Sequence, residues 1–201
     1  MKPRFLISCF FIIISISAFG QKRGFDAGIL GGIVPSQVDG DTYAGYHKIG
    51  LQGGLFVRYN LNKQLYVFNE IKYIQKGAKQ VSKDNTFYYK SALNYIELPF
   101  SLQYLYKKKY LIEAGTAFSY LIKWYEDFGY GSTQMKDPQF KSYEWSAFGG
   151  IGVVVTEHIF LLGRFSYSIL PIRVYPEYIQ TIRDMGWNNN DIQIGIYYKF
   201  N

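Results

Sequence analysis

The chain has 201 residues, 19% of them aromatic, and a formal net charge of +7 at neutral pH. This length suits a single domain. The only cysteine, Cys9, lies in an apolar stretch near the start, which excludes disulfides, thiolate catalysis and cysteine-based metal sites from the remainder. The lysines and arginines are scattered rather than clustered on a helix, so the charge favours attraction to anionic lipid head groups and excludes a nucleic acid partner.

Residues 1–20 are predicted to be a cleaved signal peptide. A basic start containing Lys2 and Arg4 precedes an apolar core, and the small residues at 18 and 20 suit a signal-peptidase site. The apolar core is shorter than a membrane-spanning helix, although an uncleaved anchor is the alternative. We therefore expect the mature domain to cover residues 21–201, with a formal charge of +5 once Lys2 and Arg4 are removed.

Eight segments of the mature chain alternate apolar and polar residues, which is the period of a β-strand. They cover residues 25–34, 49–59, 64–76, 94–104, 110–123, 143–155, 159–170 and 191–200. The last segment is long enough to cross a membrane as a tilted strand. It ends in Phe200, and aromatic residues ring the lipid–water interface of outer-membrane barrels.

The connections between these segments alternate in length. Residues 60–63, 105–109 and 156–158 are short, whereas residues 35–48, 77–93, 124–142 and 171–190 are long. The predicted fold is therefore all-β: an eight-stranded antiparallel up-and-down transmembrane β-barrel with short periplasmic turns and long extracellular loops. We expect a monomer in the bacterial outer membrane, surrounded by outer-membrane lipid.

A soluble barrel of the lipocalin type is the alternative, because it shows the same alternation with the faces reversed. The signal peptide, the aromatic content and the uneven loops favour the membrane version. Two residues fit it poorly. Asn69 is predicted to lie on the lipid face, and Pro99, which cannot donate to a strand ladder, is predicted to form a bulge or kink.

Two stretches carry a family resemblance. Residues 70–77 read Glu-Ile-Lys-Tyr-Ile-Gln-Lys-Gly, and residues 95–100 read Tyr-Ile-Glu-Leu-Pro-Phe. They resemble the paired signatures of the PorT-like outer-membrane β-barrel family, Glu-x-x-Tyr-x-x-Lys-Gly followed by Tyr-x-Glu-x-Pro. The resemblance implies that Pro99 is a family feature and that the protein is linked to type IX secretion or gliding. It brings no catalytic residues.

Inward positions carry charges of both signs. The candidate polar network of the lumen consists of Asp26, Arg58, Glu70, Lys72, Glu97, Glu113, Arg164 and Lys199. The interior of an eight-stranded barrel is just wide enough for its own side chains, and an unpaired buried ion is costly. We therefore expect a structural set of ion pairs that fills the lumen, with a gated ion or proton path as the alternative.

Aromatic residues in the predicted long loops form a candidate partner-binding surface. They are Trp124, Tyr125, Tyr130, Tyr175, Tyr178 and Trp187. The alternative is that these rings pack on one another or rest in the lipid–water interface.

Residues suited to catalysis are few. The two histidines are His47 and His158, and a pairing of His47 with Ser36 is the one nucleophile–base arrangement that the sequence offers. No metal-ligand spacing or cofactor motif is present. We therefore expect a non-enzymatic barrel that presents its loops to an envelope or secretion-machinery partner. A small-solute channel or uptake barrel and a lipid-modifying enzyme are the alternatives.

Overall fold

The computed structural model describes residues 24–40, 45–81, 88–127, 132–133, 140–173 and 186–200, and the predicted signal peptide lies outside them. These residues form ten strands. They are β1 (Phe25–Asp39), β2 (Lys48–Asn60), β3 (Leu65–Lys76), β4 (Lys79–Val81), β5 (Tyr88–Tyr106), β6 (Tyr110–Asp127), β7 (Ser132–Thr133), β8 (Tyr143–Val154), β9 (Ile159–Ser168) and β10 (Asn188–Lys199). Within the described ranges, no helix is long and apolar enough to cross a membrane.

Eight of these strands close into a barrel. Each long strand pairs antiparallel with the next one in the order β1, β2, β3, β5, β6, β8, β9, β10, and β10 returns to pair with β1. The short β4 and β7 add to the ends of β5 and β6. The predicted eight-stranded antiparallel barrel is confirmed.

The two rims of the barrel differ. At one, the short-turn rim, strands are joined by residues 61–64, 107–109 and 155–158. Lys107 (φ 49°) and Lys108 (φ 56°) both adopt the left-handed conformation of a type I′ turn, which matches the twist of a hairpin. At the other, the long-loop rim, the connections are longer, as the sequence predicted.

The strands reach farther toward the long-loop rim than predicted. Residues 35–39, 88–93, 124–127 and 188–190, expected in loops, belong to β1, β5, β6 and β10. Pro35 does not end β1, because the ladder to β10 skips residues 34 and 35 and resumes in the same register at Ser36.

A bulge or kink was predicted at Pro99, and the prediction of a bulge is wrong. Pairing between β3 and β5 is interrupted between Asn69–Phe100 and Lys72–Glu97 but keeps its register, and Pro99 stays opposite Ala117 of β6. The proline thus removes a hydrogen bond without inserting a residue. The register shift in β5 lies instead between Asn94 and Tyr95.

The outer face of the barrel is an apolar belt. Large side chains that the sequence predicted to face lipid are exposed on every long strand; in the middle of the belt they include Ile29, Leu55, Ile71, Leu98, Phe118, Phe165 and Ile194. Asn69 is exposed on this face too, as predicted. The charged residues at mid-height of the same strands, such as Glu70, Glu113 and Arg164, turn inward and are buried. We call this surface the lipid-facing belt.

A lysine placed in this belt should destabilise the protein according to its depth. We expect Leu55→Lys to lower the free energy of unfolding in lipid vesicles by about 2–4 kcal/mol, because Leu55 lies at mid-height. The matched control Leu61→Lys, in a short turn, should cost about 0–1 kcal/mol. Urea titration of folding in vesicles measures both, and equal losses would contradict the membrane orientation.

Candidate functional site: a filled lumen and a basic cleft

An aromatic layer crosses the lumen near the short-turn rim. It consists of Phe56, Phe68, Phe160 and Tyr197, with Leu30, Leu111 and Leu162 packed around them. The ring centroids of Phe56 and Phe68 are 5.3 Å apart, and Phe160 stacks on Tyr197 at 4.8 Å. This layer was not predicted from the sequence, although these residues share the inward phase of Arg58, Glu70 and Arg164.

Arg164 lies at the centre of the lumen, above the aromatic layer. Its Nη1 and Nη2 donate to the two carboxylate oxygens of Glu70 at 2.9 and 2.7 Å, and its Nε and Nη2 donate to Glu113. The hydroxyl of Tyr197 donates to Glu70 at 3.1 Å. These groups come from β3, β6, β9 and β10, so one guanidinium joins opposite walls of the barrel.

Two lysines continue this arrangement toward the long-loop rim. Lys72 Nζ lies 3.3 Å from carboxylates of both Glu70 and Glu97. Lys76 Nζ lies 2.8 Å from Glu97, 2.8 Å from Glu144 and 3.4 Å from Asp191. We call the whole set the central ion network. Its members are Glu70, Lys72, Lys76, Glu97, Glu113, Glu144, Arg164 and Asp191.

The eight residues predicted for the lumen fall into two groups. Glu70, Lys72, Glu97, Glu113 and Arg164 meet in the central ion network, as described above. Asp26, Arg58 and Lys199 form a separate cluster at the short-turn rim, on the other side of the aromatic layer. There Arg58 Nη2 lies 2.6 Å and Lys199 Nζ 3.9 Å from Asp26, and the groups are partly exposed. Lys76, Glu144 and Asp191 were absent from the predicted set.

An apolar cap closes the lumen toward the long-loop rim. The ring of Phe140 packs between those of Trp124, at a centroid distance of 5.5 Å, and Trp187, at 6.1 Å. These rings belong to the same cluster as Tyr95 and Leu93. Arg173 lies over the Trp187 ring at 4.3 Å and pairs with Glu126 at 2.9 Å. These contacts fasten the chain around residues 171–173 to β6.

The cap corrects the prediction of an exposed aromatic loop surface. Trp124 belongs to β6 and is 8% exposed, and Trp187 packs against the same cluster. Tyr125 faces outward and is half-buried. Tyr130, Tyr175 and Tyr178 lie outside the described residues. The alternative interpretation, that the loop aromatic residues pack on one another, is correct for Trp124 and Trp187.

The proposed Ser36–His47 pair does not form. Ser36 is fully buried and donates its hydroxyl to the carbonyl of Gly77 at 2.9 Å. His47 is exposed, with its ring beside Gly45. His158, at the short-turn rim, lies 3.2 Å through Nδ1 from the carbonyl oxygen of Lys199. In the described residues, no group of histidine and carboxylate side chains could hold a metal ion.

A cleft opens on the outside of the barrel at the long-loop rim. Pairing of β2 with β3 ends at Gln52–Ile74, while β2 continues to Lys48. The cleft beside this split measures about 500 Å³. It is lined by His47, Lys48, Ile49, Tyr73, Gln75, Lys79, Lys90, Ala92, Asn94 and Tyr125. We call it the basic cleft.

Lys48 is the first residue of β2, at the long-loop rim, and is 6% exposed. Burial and the positive charge of nearby Lys90 lower the pKa of its ammonium to about 8.

A closed barrel with an apolar outside and an ionic inside is a membrane-spanning β-barrel. Among β-structures, only a closed ring of strands pairs every backbone group in lipid and leaves no open edge. The sequence profile of the outer membrane protein β-barrel domain family matches residues 19–173. The chain belongs to this family and therefore lies in the bacterial outer membrane, with the short-turn rim periplasmic and the long-loop rim extracellular.

Solved structures show the same fold at low sequence identity. The chain is similar to Ail, the attachment invasion locus protein of Yersinia pestis, with 12% identity, a TM-score of 0.50, and coverage of 89% of this chain and 100% of Ail. It is also similar to neisserial surface protein A, with 12% identity, a TM-score of 0.54, and coverage of 89% and 100%. A search of curated protein sequences finds no match.

Loss of the central guanidinium should destabilise the barrel strongly. We expect Arg164→Met to lower the free energy of unfolding by about 3–5 kcal/mol, because two buried carboxylates lose their partner. Adding Glu70→Gln and Glu113→Gln should restore part of this loss. The control Arg58→Met removes a partly exposed pair and should cost roughly 1 kcal/mol. Denaturant unfolding in vesicles tests the series, and a loss for Arg164→Met no larger than the control would contradict it.

Proposed function

We propose that the protein is a non-conducting, non-enzymatic outer-membrane scaffold that presents its extracellular rim to a partner protein of the cell envelope. The observation that carries this proposal is the filled lumen. Three successive layers, the aromatic layer, the central ion network and the apolar cap, occupy the space through which a solute would pass.

The shape of the extracellular rim supports the scaffold role. β5 and β6 pair with each other as far as Lys90–Asp127, and β4 and β7 extend this sheet at its edges. Arg173 and Glu126 tie the next connection to β6. The extended β5–β6 sheet and the Arg173–Glu126 ion pair together hold the rim in one arrangement, as a scaffold that positions binding residues requires.

The partner class follows from the resemblance to the PorT-like family in residues 70–77 and 95–100. That resemblance favours a component of protein secretion or envelope assembly. Loss of exported cargo in a deletion strain would support the secretion role over other envelope roles.

The filled lumen predicts an absence of conductance. The purified barrel in a planar lipid bilayer should give no current steps above those of the empty bilayer, because an eight-stranded ring has no room for both its side chains and a water column. A porin added to the same bilayer serves as the positive control. Current steps that change in size or ion selectivity with Glu97→Gln would overturn the scaffold proposal in favour of a channel.

The scaffold role predicts contacts at one rim only. A photo-crosslinking amino acid at Tyr125 or Gln80, both on the extracellular rim, should trap the same envelope protein in intact cells. The same amino acid at Lys63, in a periplasmic turn, serves as the control. Adducts from Lys63 alone, or none from either rim residue, would contradict presentation to a partner at the extracellular rim.

A further inference from the structure

Lys48 is a buried cation at the long-loop rim. Only 6% of the residue is exposed, and among the described residues no hydrogen-bond or ion-pair partner contacts its ammonium. The charged group that acts on its ammonium is another cation, Lys90, which lowers the pKa further. A buried ion normally has a partner of opposite charge, because removal from water costs several kcal/mol otherwise. The lysines of the central ion network follow that rule and Lys48 does not.

The other cations of the basic cleft increase the imbalance. Lys79 of β4 and Lys90 of β5 lie directly opposite each other in the strand register, where like charges repel. Of the described residues that line the cleft, none is a carboxylate. Asp127 of β6 lies opposite Lys90 in the strand register, lines a smaller neighbouring pocket together with Lys90, and has a further interaction. Three lysines thus line one concave surface, and its described lining residues include no acid.

The position of the cleft indicates what supplies the missing negative charge. Its apolar wall contains Ile49 and Tyr73, which are exposed on the outer face and continue the lipid-facing belt. Its polar wall contains Gln75 and Asn94, which can hydrogen-bond to a head group. An amphiphile lying against the barrel would therefore place its acyl chains on the belt and its head group in the cleft.

We propose that the basic cleft binds the phosphate of a phosphorylated lipid in the outer leaflet, with Lys48, Lys79 and Lys90 contacting the phosphate oxygens. Three ammonium groups match an anion with several acceptor oxygens and a charge near −2. The proposal does not depend on the scaffold role, because a conducting barrel could bind the same lipid.

The first test uses inorganic phosphate as the probe. The full mature chain, folded in a non-ionic detergent, is heated in phosphate or in chloride at equal ionic strength. Phosphate at about ten times its dissociation constant should raise the unfolding midpoint by about 3–6 °C. Lys48→Met should weaken phosphate binding at least about tenfold. The same variant should raise the midpoint in chloride, because it removes a buried unpaired charge.

The matched control is Lys141→Met, which removes a lysine of the same rim outside the cleft. It should respond to phosphate as the native chain does. An equal response of Lys48→Met and the native chain would overturn the proposal, as would the absence of any phosphate effect on the native chain. The rise of the Lys48→Met midpoint in chloride shows that this variant is folded.

The second test identifies the source of the phosphate. Native mass spectrometry from mixed micelles compares phosphatidic acid with diacylglycerol carrying the same acyl chains. One phosphatidic acid should remain on the native chain and on Lys141→Met, but not on Lys48→Met, and diacylglycerol should not be retained. Stabilisation by inorganic phosphate without retention of phosphatidic acid would overturn the lipid assignment and leave a site for a free anion.

Discussion

The narrow interior of an eight-stranded ring is the constraint on which this structure depends. Every charged side chain that points inward must find its partner there, because little water can enter to solvate it. The central ion network meets this demand by crossing the barrel, so that Arg164 on β9 holds Glu70 on β3 and Glu113 on β6. The ion pairs of Arg164 therefore connect walls that share no backbone hydrogen bonds.

The central ion network contains more acids than bases, and neutral donors supply the remainder. Gln103 donates to Glu113, Ser119 to Glu97, Asn189 to Glu144 and Gln193 to Asp191. Because each of these donors sits on an inward position, a slip of one strand by a single residue would remove it from the lumen. The arrangement thus specifies the strand register as well as filling space.

The sequence was sufficient for the strand number, the rims and the two faces, because alternation is a local signal. It was insufficient for the order of layers inside. Phe56 and Tyr197 point inward and Tyr73 outward, and aromatic residue type alone does not separate these faces. Lys76, Glu144 and Asp191 occupy inward positions of their strands. Their contact could not be predicted, because it depends on the stagger between strands that are distant in the sequence. The end of β1 was misjudged because Pro35 interrupts one ladder of β1 without ending the strand.

The basic cleft follows from the unequal lengths of two neighbouring strands. β3 ends at Lys76 whereas β5 continues for several residues, and the chain between them bends at Gly77. Gly77 has φ +134°, and a Cβ there would lie 2.3 Å from the carbonyl oxygen of Ser91 and 3.2 Å from Lys48 Cδ. Beyond Gln52 the end of β2 stays paired with β1 but no longer pairs with β3, and Lys48 lies beside the bend. The rule that pairs the cations inside the barrel applies here too: the described residues of the cleft supply no negative charge, and the proposed lipid phosphate would supply it.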